Sequence, residues 1–392
     1  MEYKNNLQNS QIPSQDSRIA PKTLLVHICC SVDSHHFLSE LRAMLPDTEF
    51  IGYFYNPNIH PEEEYQLRLF DVQRSCRMLN IQLIWESYDP SDWLHESNGL
   101  EHFPEKGERC SFCFDFRLEK SAQKALELGA DALSTTLLAS PIKSIEQLFR
   151  QGRAIKERFG LRFLEIDVRS KGGSARQQKL AKDSRLYRQN YCGCLYALSA
   201  QRERAQKRAL ELCSPISKAR YDEGLFAKRM AALKERDRLE AGNRDYFWGR
   251  EKQLLWQNLY ALLLDSHKRS IPIHVIAHSI YKGKISLTLE REIERVFYFD
   301  KEGAKAITLE HFNKLTQKSY TNIYELIYSP PAMNEELELR RKLGDSPFGI
   351  SPILVFGAIP RVGDSYKLTL HSFFQEENIE KIWEIKKYSY NF

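Results

Sequence analysis

No run of about 18 apolar residues occurs in the 392-residue chain, which excludes a helix that crosses a membrane. No N-terminal signal segment is recognisable, so the expected compartment is the cytoplasm, where thiols stay reduced. No internal repeat is visible, which sets aside solenoids and propellers. The Gly-x-Gly-x-x-Gly fingerprint of a dinucleotide site is absent too, so no nicotinamide or flavin dinucleotide is expected as a resident electron carrier. Excess charge is also small: the net is only +5. That balance hides an asymmetry. Residues 169–190 carry seven Lys/Arg against the single acid Asp183, and residues 197–250 carry 13 Lys/Arg against eight acids. Basic stretches on either side of one cysteine pair point to a polyanionic partner. In the second stretch Glu and Arg interleave, and a solvated helix face is the competing reading.

What is present is a set of eight cysteines, six of them in three tight pairs: Cys29-Cys30, Cys110-x-x-Cys113 and Cys192-Gly193-Cys194. Cysteines this close in sequence do not staple distant parts of a fold. In a reducing compartment they point to a soft metal centre, to thiol redox chemistry, or to both. Four thiolates from Cys29, Cys30, Cys110 and Cys113 would satisfy an iron–sulfur cluster or a zinc ion. Adjacent cysteines suit one tetrahedral ion poorly, and suit a cuboidal cluster better because they can ligate different irons. A Cys-x-x-Cys opening a helix is a good half-site, since helix N-terminal amides favour thiolate. Buried inert thiols are the alternative. In Cys192-Gly193-Cys194 the glycine lets the backbone bend enough for the sulfurs to meet. Such a disulfide is readily reduced, which suits an electron relay; two further cluster ligands are the alternative.

With 42% hydrophobic and 28% charged residues the chain reads as globular, and its length allows two or three domains. Residues 1–20 are polar and read as a disordered tail. From Thr23 onward, short apolar runs at residues 24–28, 50–55, 81–85, 132–136 and 162–166 predict buried strands. Amphipathic stretches at 34–45, 62–79, 114–128 and 145–159 predict helices between them. This alternation implies a parallel sheet with helices on both faces, over residues 21–212. Ligands of such sheets sit at the carboxyl ends of the strands. Cys29-Cys30 and Asp33 follow the first strand, residues 56–61 the second, and Thr135-Thr136 with Ser140-Pro141 end the fourth. Features that share one rim argue for one active site. After about residue 196 the character changes: 197–212 and 225–240 read as charged helices with Pro215 between them, and strand-like runs follow at 273–277, 284–289 and 353–356. They predict a helical segment and a smaller α+β domain, 213–392, with no catalytic signature.

Single residues carry weaker signals. Asp33 could ligate a metal beside the cysteines or move a proton; a helix N-cap is the rival reading. His60, on a rim loop, could contact substrate or only stabilise the turn, whereas His27 reads as a satisfied core histidine. Lys143 could hold a phosphate, and Tyr187, Arg188 and Tyr191 could stack a base or hold one. Lys171-Gly172-Gly173-Ser174 could cradle a phosphate, though a lone Gly-Gly is a weak cue. Cys76 and Cys213 read as packing or surface thiols.

Taken together, the residues resemble the QueH-type epoxyqueuosine reductases. The pieces are Leu25-Val26-His27-Ile28-Cys29-Cys30-Ser31-Val32-Asp33, Asn56-Pro57-Asn58-Ile59-His60-Pro61 with Glu64-Tyr65 and Arg68, and Gly107-Glu108-Arg109-Cys110-Ser111-Phe112-Cys113-Phe114 with Arg117-Leu118. Thr135-Thr136-Leu137 with Ser140-Pro141 and Lys143 comes next, then Tyr187-Arg188-Gln189 with Tyr191-Cys192-Gly193-Cys194. They occur in order over residues 24–196. The resemblance implies a Rossmann-like (HUP/PP-loop-like) sheet and the last step of queuosine biosynthesis, in which the epoxide of epoxyqueuosine at the tRNA wobble position is reduced and lost as water. It implies a 4Fe-4S cluster on Cys29, Cys30, Cys110 and Cys113, a second metal, iron, on Asp33, and a redox-active pair, Cys192 and Cys194. With Asp33 a ligand, the proton would come from water or His60. The tRNA would be held by Lys143, Arg176, Arg185, Tyr187, Arg188 and Tyr191, and the electrons would come from an external low-potential donor. One departure stands out: Ser31-Val32 replaces the family's frequent Ala-Pro and changes the turn between the cysteines and Asp33. Two rivals remain. One is an ATP-dependent iron–sulfur tRNA thiolase of the PP-loop type, although Cys30-Ser31-Val32-Asp33-Ser34 lacks the glycines that let backbone approach pyrophosphate. The other is a zinc-stabilised RNA-binding protein.

Overall fold

Leu24, Leu25 and Val26 have no exposed surface, because β1 (Thr23–His27) is the central strand of a five-stranded sheet. A strand covered on both faces needs apolar side chains on both, hence the unbroken run rather than an alternation. The structure is a computed structural model that describes residues 20–189, 191–205, 225–280 and 282–385. The expected tail thus lies, except for Ala20, outside the described residues, and so does Cys213. The chain divides into two compact units, Met1–Leu212 and Cys213–Phe392.

In the first unit β1 is joined by β2 (Glu49–Phe54), β3 (Gln82–Trp85), β4 (Ala132–Thr135) and β5 (Arg162–Phe163) in the order β3-β2-β1-β4-β5. Every pairing is parallel. The chain winds outward from β1 to β3, then crosses back to β4, so the order reverses between β1 and β4. A crevice opens at the carboxyl ends of strands on either side of such a reversal. The helices are α1 (Ser31–Met44), α2 (Glu62–Met78), α3 (Ser91–Glu96), α4 (Glu108–Glu127), α5 (Ile145–Phe159), α6 (Gly173–Asp183) and α7 (Leu195–Arg204). α1 packs on α2 and α6, while α4 packs on α5, β1 and β4. α5 has the limits its end signals predict: the Ser144 side chain caps its first turn by accepting from Gln147 N, and Gly160 ends it with φ +66°.

Several boundaries differ from expectation. The run at 162–166 forms only two residues of strand; Leu164 N still reaches Leu133 O at 2.9 Å, but the chain then leaves the ladder. α1 starts at Ser31 with Cys30 as its N-cap, which puts Asp33 inside the first turn rather than at the cap. α4 starts at Glu108, so Cys110 and Cys113 both lie in its first two turns. Gly173 owes its place to packing: a Cβ there would stand 1.8 Å from Val168 O, so the glycine pair allows a close chain crossing.

The second unit begins its described part with α8 (Leu225–Ala241) and is built on an eight-stranded sheet. Its strands are β6 (Tyr246–Leu264), β7 (Ser270–Ile271), β8 (Ile273–Val275), β9 (Lys282–Ile293), β10 (Val296–Phe299), β11 (Lys305–Thr308), β12 (Ile353–Phe356) and β13 (Ser365–Glu384), in the order β7-β6-β13-β9-β10-β11-β12-β8. Among the described residues only β11 and β12 pair in parallel; α9 (Leu309–Thr316), α10 (Ile323–Tyr328) and α11 (Met333–Lys342) lie in the chain between them. The longest strands, β6 and β13, pair antiparallel from Tyr246↔Glu384 to Leu264↔Lys367. Both escaped the search for apolar runs. β13 alternates buried and exposed residues along much of its length, with Lys and Glu on the outer face, as a one-sided ribbon requires.

Candidate active site

The rim of the first unit is built outward from β1. Cys29 follows the strand directly; its backbone N donates to Thr136 Oγ1 at 3.1 Å, and its Sγ lies 3.4 Å from the same hydroxyl. Thr136 follows β4, so this contact stitches together the two strands that flank the reversal. Cys29 Sγ is 3.9 Å from Cys30 Sγ and 3.6 Å from Asp33 Oδ2. Ligand atoms of Cys29, Cys30 and Asp33 all lie within 4.8 Å of one another, and all three residues are buried. The other Asp33 oxygen accepts from Gln177 Nε2 of α6 at 2.6 Å. Burial pushes the Asp33 carboxyl up, against hydrogen bonds from Cys29, Cys30 and Gln177. The two thiols split: the hydrogen bond between them lowers Cys29 and raises Cys30, and burial adds to the rise of Cys30. Two soft sulfurs and one hard oxygen at this spacing fit a borderline-soft cation such as iron or zinc.

Cys29 and Asp33 open onto a cavity of about 500 Å³ whose wall also includes Cys110, Cys113, Cys192 and Cys194. Five sulfurs from three separate segments therefore face one space. α4 is aligned by a short relay: Arg117 donates to Cys113 O at 3.1 Å and to Asn56 Oδ1 at 3.2 Å, and Asn56 Nδ2 donates to Ile28 O at 2.8 Å. Cys110 Sγ accepts from the Lys106 amide at 3.2 Å. Burial raises the Cys113 thiol, with Arg117 and Lys143 pulling the other way. Burial works against the charge on Lys143, but the Cys192, Cys110 and Cys113 sulfurs outweigh it and leave the ammonium strengthened. Its Nζ stands 5.6 Å from the centre of the Phe114 ring. The wall thus pairs sulfur donors with cations, the balance a thiolate-ligated group requires. Cys30, 1% exposed, is not among the lining residues and reaches the site through its contact with Cys29. Thiols with a carboxylate next to them are the donor chemistry of an iron–sulfur or other soft-metal site.

The Cys-Gly-Cys segment is fastened over this space by the loop after β2. Ile59 and Cys194 form an isolated antiparallel bridge, and His60 N donates to Gly193 O at 2.9 Å. Gly193 has φ +105°, and a Cβ there would meet Ile59 Cγ1 at 2.9 Å, so only glycine fits. Both cysteines are free thiols, and burial pushes Cys194 up to about 12.

The other predicted residues divide. Arg188, Lys143 and Tyr191 line the cavity. His60 does not; it is half-buried, and its role in the structure is through its backbone, whose carbonyl accepts from Tyr191 OH. Tyr187, expected to stack a base, turns inward: it is 3% exposed, its hydroxyl donates to Glu64 Oε2 at 2.9 Å and its amide to Asp71 Oδ2 at 2.7 Å. Arg176 is engaged with Glu40 at 3.2 Å, and Arg185 stands at the turn after α6 with φ +52°; neither lines the cavity. His27 is a satisfied core histidine, with Thr135 Oγ1 at 2.9 Å and Tyr55 O at 3.1 Å; burial takes it down to about 3. Cys76 is a packing thiol, 1% exposed. Gln177, which no sequence signal marked, is the residue that orients Asp33; one of two adjacent glutamines in a basic helix has no spacing or charge cue to single it out.

The family model for epoxyqueuosine reductase QueH matches residues 24–200 of the chain. The epoxyqueuosine reductase QueH of Helicobacter pylori is 35% identical over 380 residues, which cover 91% of this chain and 99% of the relative. Its counterpart in Thermotoga maritima is 34% identical over 185 residues, 46% of this chain and 93% of that protein. Among solved structures, the U34-tRNA thiolase NcsA from Methanococcus maripaludis with its 4Fe-4S cluster superposes with a TM-score of 0.33 at 14% identity, over 50% of this chain and 68% of that one, a likeness too slight to bear on this chain.

Proposed function

The chain belongs to the epoxyqueuosine reductase QueH family, and on that premise we propose how its rim cavity carries out the reaction. It is an oxidoreductase of queuosine biosynthesis that reduces epoxyqueuosine. In our reading Cys29, Cys30, Cys110 and Cys113 hold a 4Fe-4S cluster, Asp33 holds a second iron next to it, and the sheet is Rossmann-like, of the PP-loop type. When bound, this iron centre supplies single-electron transfer and Lewis acidity toward the leaving oxygen.

The chain's own residues do the rest. Removing the epoxide oxygen as water consumes two electrons and two protons. Oxidising Cys192 and Cys194 to a disulfide breaks two S–H bonds, forms one S–S bond and releases two electrons and two protons. The pair therefore matches one turnover, and an external low-potential donor resets it. Gln177 keeps one Asp33 oxygen occupied, leaving Oδ2 toward Cys29. Lys143 and Arg188 present positive charge at the cavity wall to the phosphates of a tRNA whose wobble nucleotide enters it. Arg185 and Arg176 are assigned to the flanking backbone. Placing the enzyme in the cytoplasm keeps its thiols reduced.

One observation carries this reading: Cys29, Asp33, Cys110, Cys113, Cys192 and Cys194 share one cavity wall. Anaerobic purification followed by iron and sulfide analysis is expected to find a brown protein. Incubation with epoxyqueuosine-containing tRNA and a low-potential reductant is expected to yield queuosine. A fully loaded protein that forms no product defeats the proposal.

A further inference from the structure

Arg68 is 3% exposed, and its guanidinium donates to Glu64 and to the two carbonyls, of Tyr191 and Cys192, that lead into the Cys-Gly-Cys segment. Nε donates to Glu64 Oε1 at 2.8 Å, one helical turn earlier in α2. Nη1 donates to Cys192 O at 3.1 Å and Nη2 to Tyr191 O at 3.0 Å. The guanidinium also lies over the Tyr191 ring, 5.4 Å from its centre. Glu64 is held in turn by Tyr187 OH. A buried guanidinium is tolerated only with its donors engaged, and here a rigid fork spans two successive carbonyls, which a lysine cannot do. Gly193 sits directly on it: a Cβ at that position would come within 3.0 Å of Arg68 Nη1.

We propose that Arg68, braced by Glu64 and Tyr187, is the positioning residue that presents Cys192 and Cys194 to each other and to the cavity. The inference rests on the redox role assigned above to this pair. Peptides 191 and 192 are fixed by the Arg68 fork, residue 193 by His60 N and residue 194 by the bridge to Ile59. The fork is a side chain, as is the Tyr191 hydroxyl on His60 O, and it is the fork that holds the carbonyl of Cys192 itself, so its removal loosens the pair without altering the backbone. Fixing the segment sets the effective concentration of one sulfur at the other, and with it the thiol–disulfide equilibrium.

The test uses the full-length, cluster-loaded protein. Arg68→Met removes the fork, and Arg68→Lys keeps the charge next to Glu64 without spanning both carbonyls. Differential alkylation with peptide mass spectrometry, across a glutathione redox series, reads the fraction of Cys192–Cys194 disulfide. The expected result for Arg68→Met is unchanged iron and sulfide, at least a tenfold shift in the equilibrium constant of the pair (about 30 mV), and about tenfold lower kcat at unaltered KM. Arg68→Lys should recover part of both. An unshifted equilibrium constant in folded, loaded Arg68→Met overturns the inference. Should that variant not fold, Tyr187→Phe, which removes the brace on Glu64, must give a smaller shift of the same sign, and no shift there overturns it equally. The reading beneath it fails differently: a Cys192→Ser, Cys194→Ser double variant that keeps the wild-type single-turnover rate removes the redox role of the pair, whatever Arg68 does.

Discussion

Both units bury ionisable groups, and they dispose of them differently. In the second unit the buried acid Glu336 accepts from His274 Nε2 at 2.6 Å and from the Ala277 amide at 2.7 Å. Arg340, fully buried beside it, donates to Ala277 O at 2.7 Å, Ser279 Oγ at 3.0 Å and Ser351 O at 2.9 Å. These bonds close on themselves and tie the helices to the loops that border β8 and β12. The first unit has a closed set too, Glu64 with Arg68 and Tyr187, but there Cys29, Cys113, Cys194 and Asp33, all buried, converge on the wall of a cavity. Polar groups that satisfy one another hold a fold together; polar groups aimed at a common space are arranged for something that enters it.

Substitutions can break or sharpen this contrast. The largest effect is expected for Cys113→Ala, which should abolish turnover and most of the bound iron while leaving the thermal transition of the second unit in place; iron analysis with calorimetry checks it. In the second unit Glu336→Ala strands His274 and the Ala277 amide, and should cost about 3–5 kcal/mol of that unit's stability without loss of iron; denaturant unfolding against iron content tests the separation. Gln177→Leu frees the second Asp33 oxygen and should weaken retention of the second metal by about 10- to 100-fold with little change in unfolding; a chelator titration reads it. Ser144→Ala removes only the cap of α5 and should cost about 1 kcal/mol, visible as a small fall in melting temperature at full activity. If Glu336→Ala lost iron as Cys113→Ala does, the division of labour between the units would be wrong.

Much of the first unit was legible because its strands are covered on both faces. Residues 24–26 can be read as a strand without knowing what covers them, and Ser144 with Gly160 brackets α5 by local chemistry alone. β6 and β13 were not legible in this way. β6 over its first half and β13 toward its end mix charge with apolar residues, and the uncharged run 254–264 of β6 carries no turn signal or neighbouring strand pattern that marks it as half of a long ribbon; the pairing with β13 does that. At the site, the cysteines announced themselves by spacing. Tyr187 misled because an aromatic in a basic stretch reads the same whether it faces RNA or Glu64. For His60 two readings stood side by side, substrate contact and turn stabilisation, and its backbone does bond to Gly193 and Tyr191.

The sequence by itself determined the donor types and their local spacing: thiols in pairs, a carboxylate one helical turn after Cys29, a glycine between two cysteines. Those are properties of a few consecutive residues, and bond geometry alone limits what they can become. Which pairs meet, and which neighbour orients them, was decided by the tertiary structure. Positions 29, 110 and 192 share a cavity only because the sheet reverses its order between β1 and β4 and the last segment is bonded back onto the loop after β2. Contacts across such separations depend on how the whole chain closes, and no local pattern encodes that.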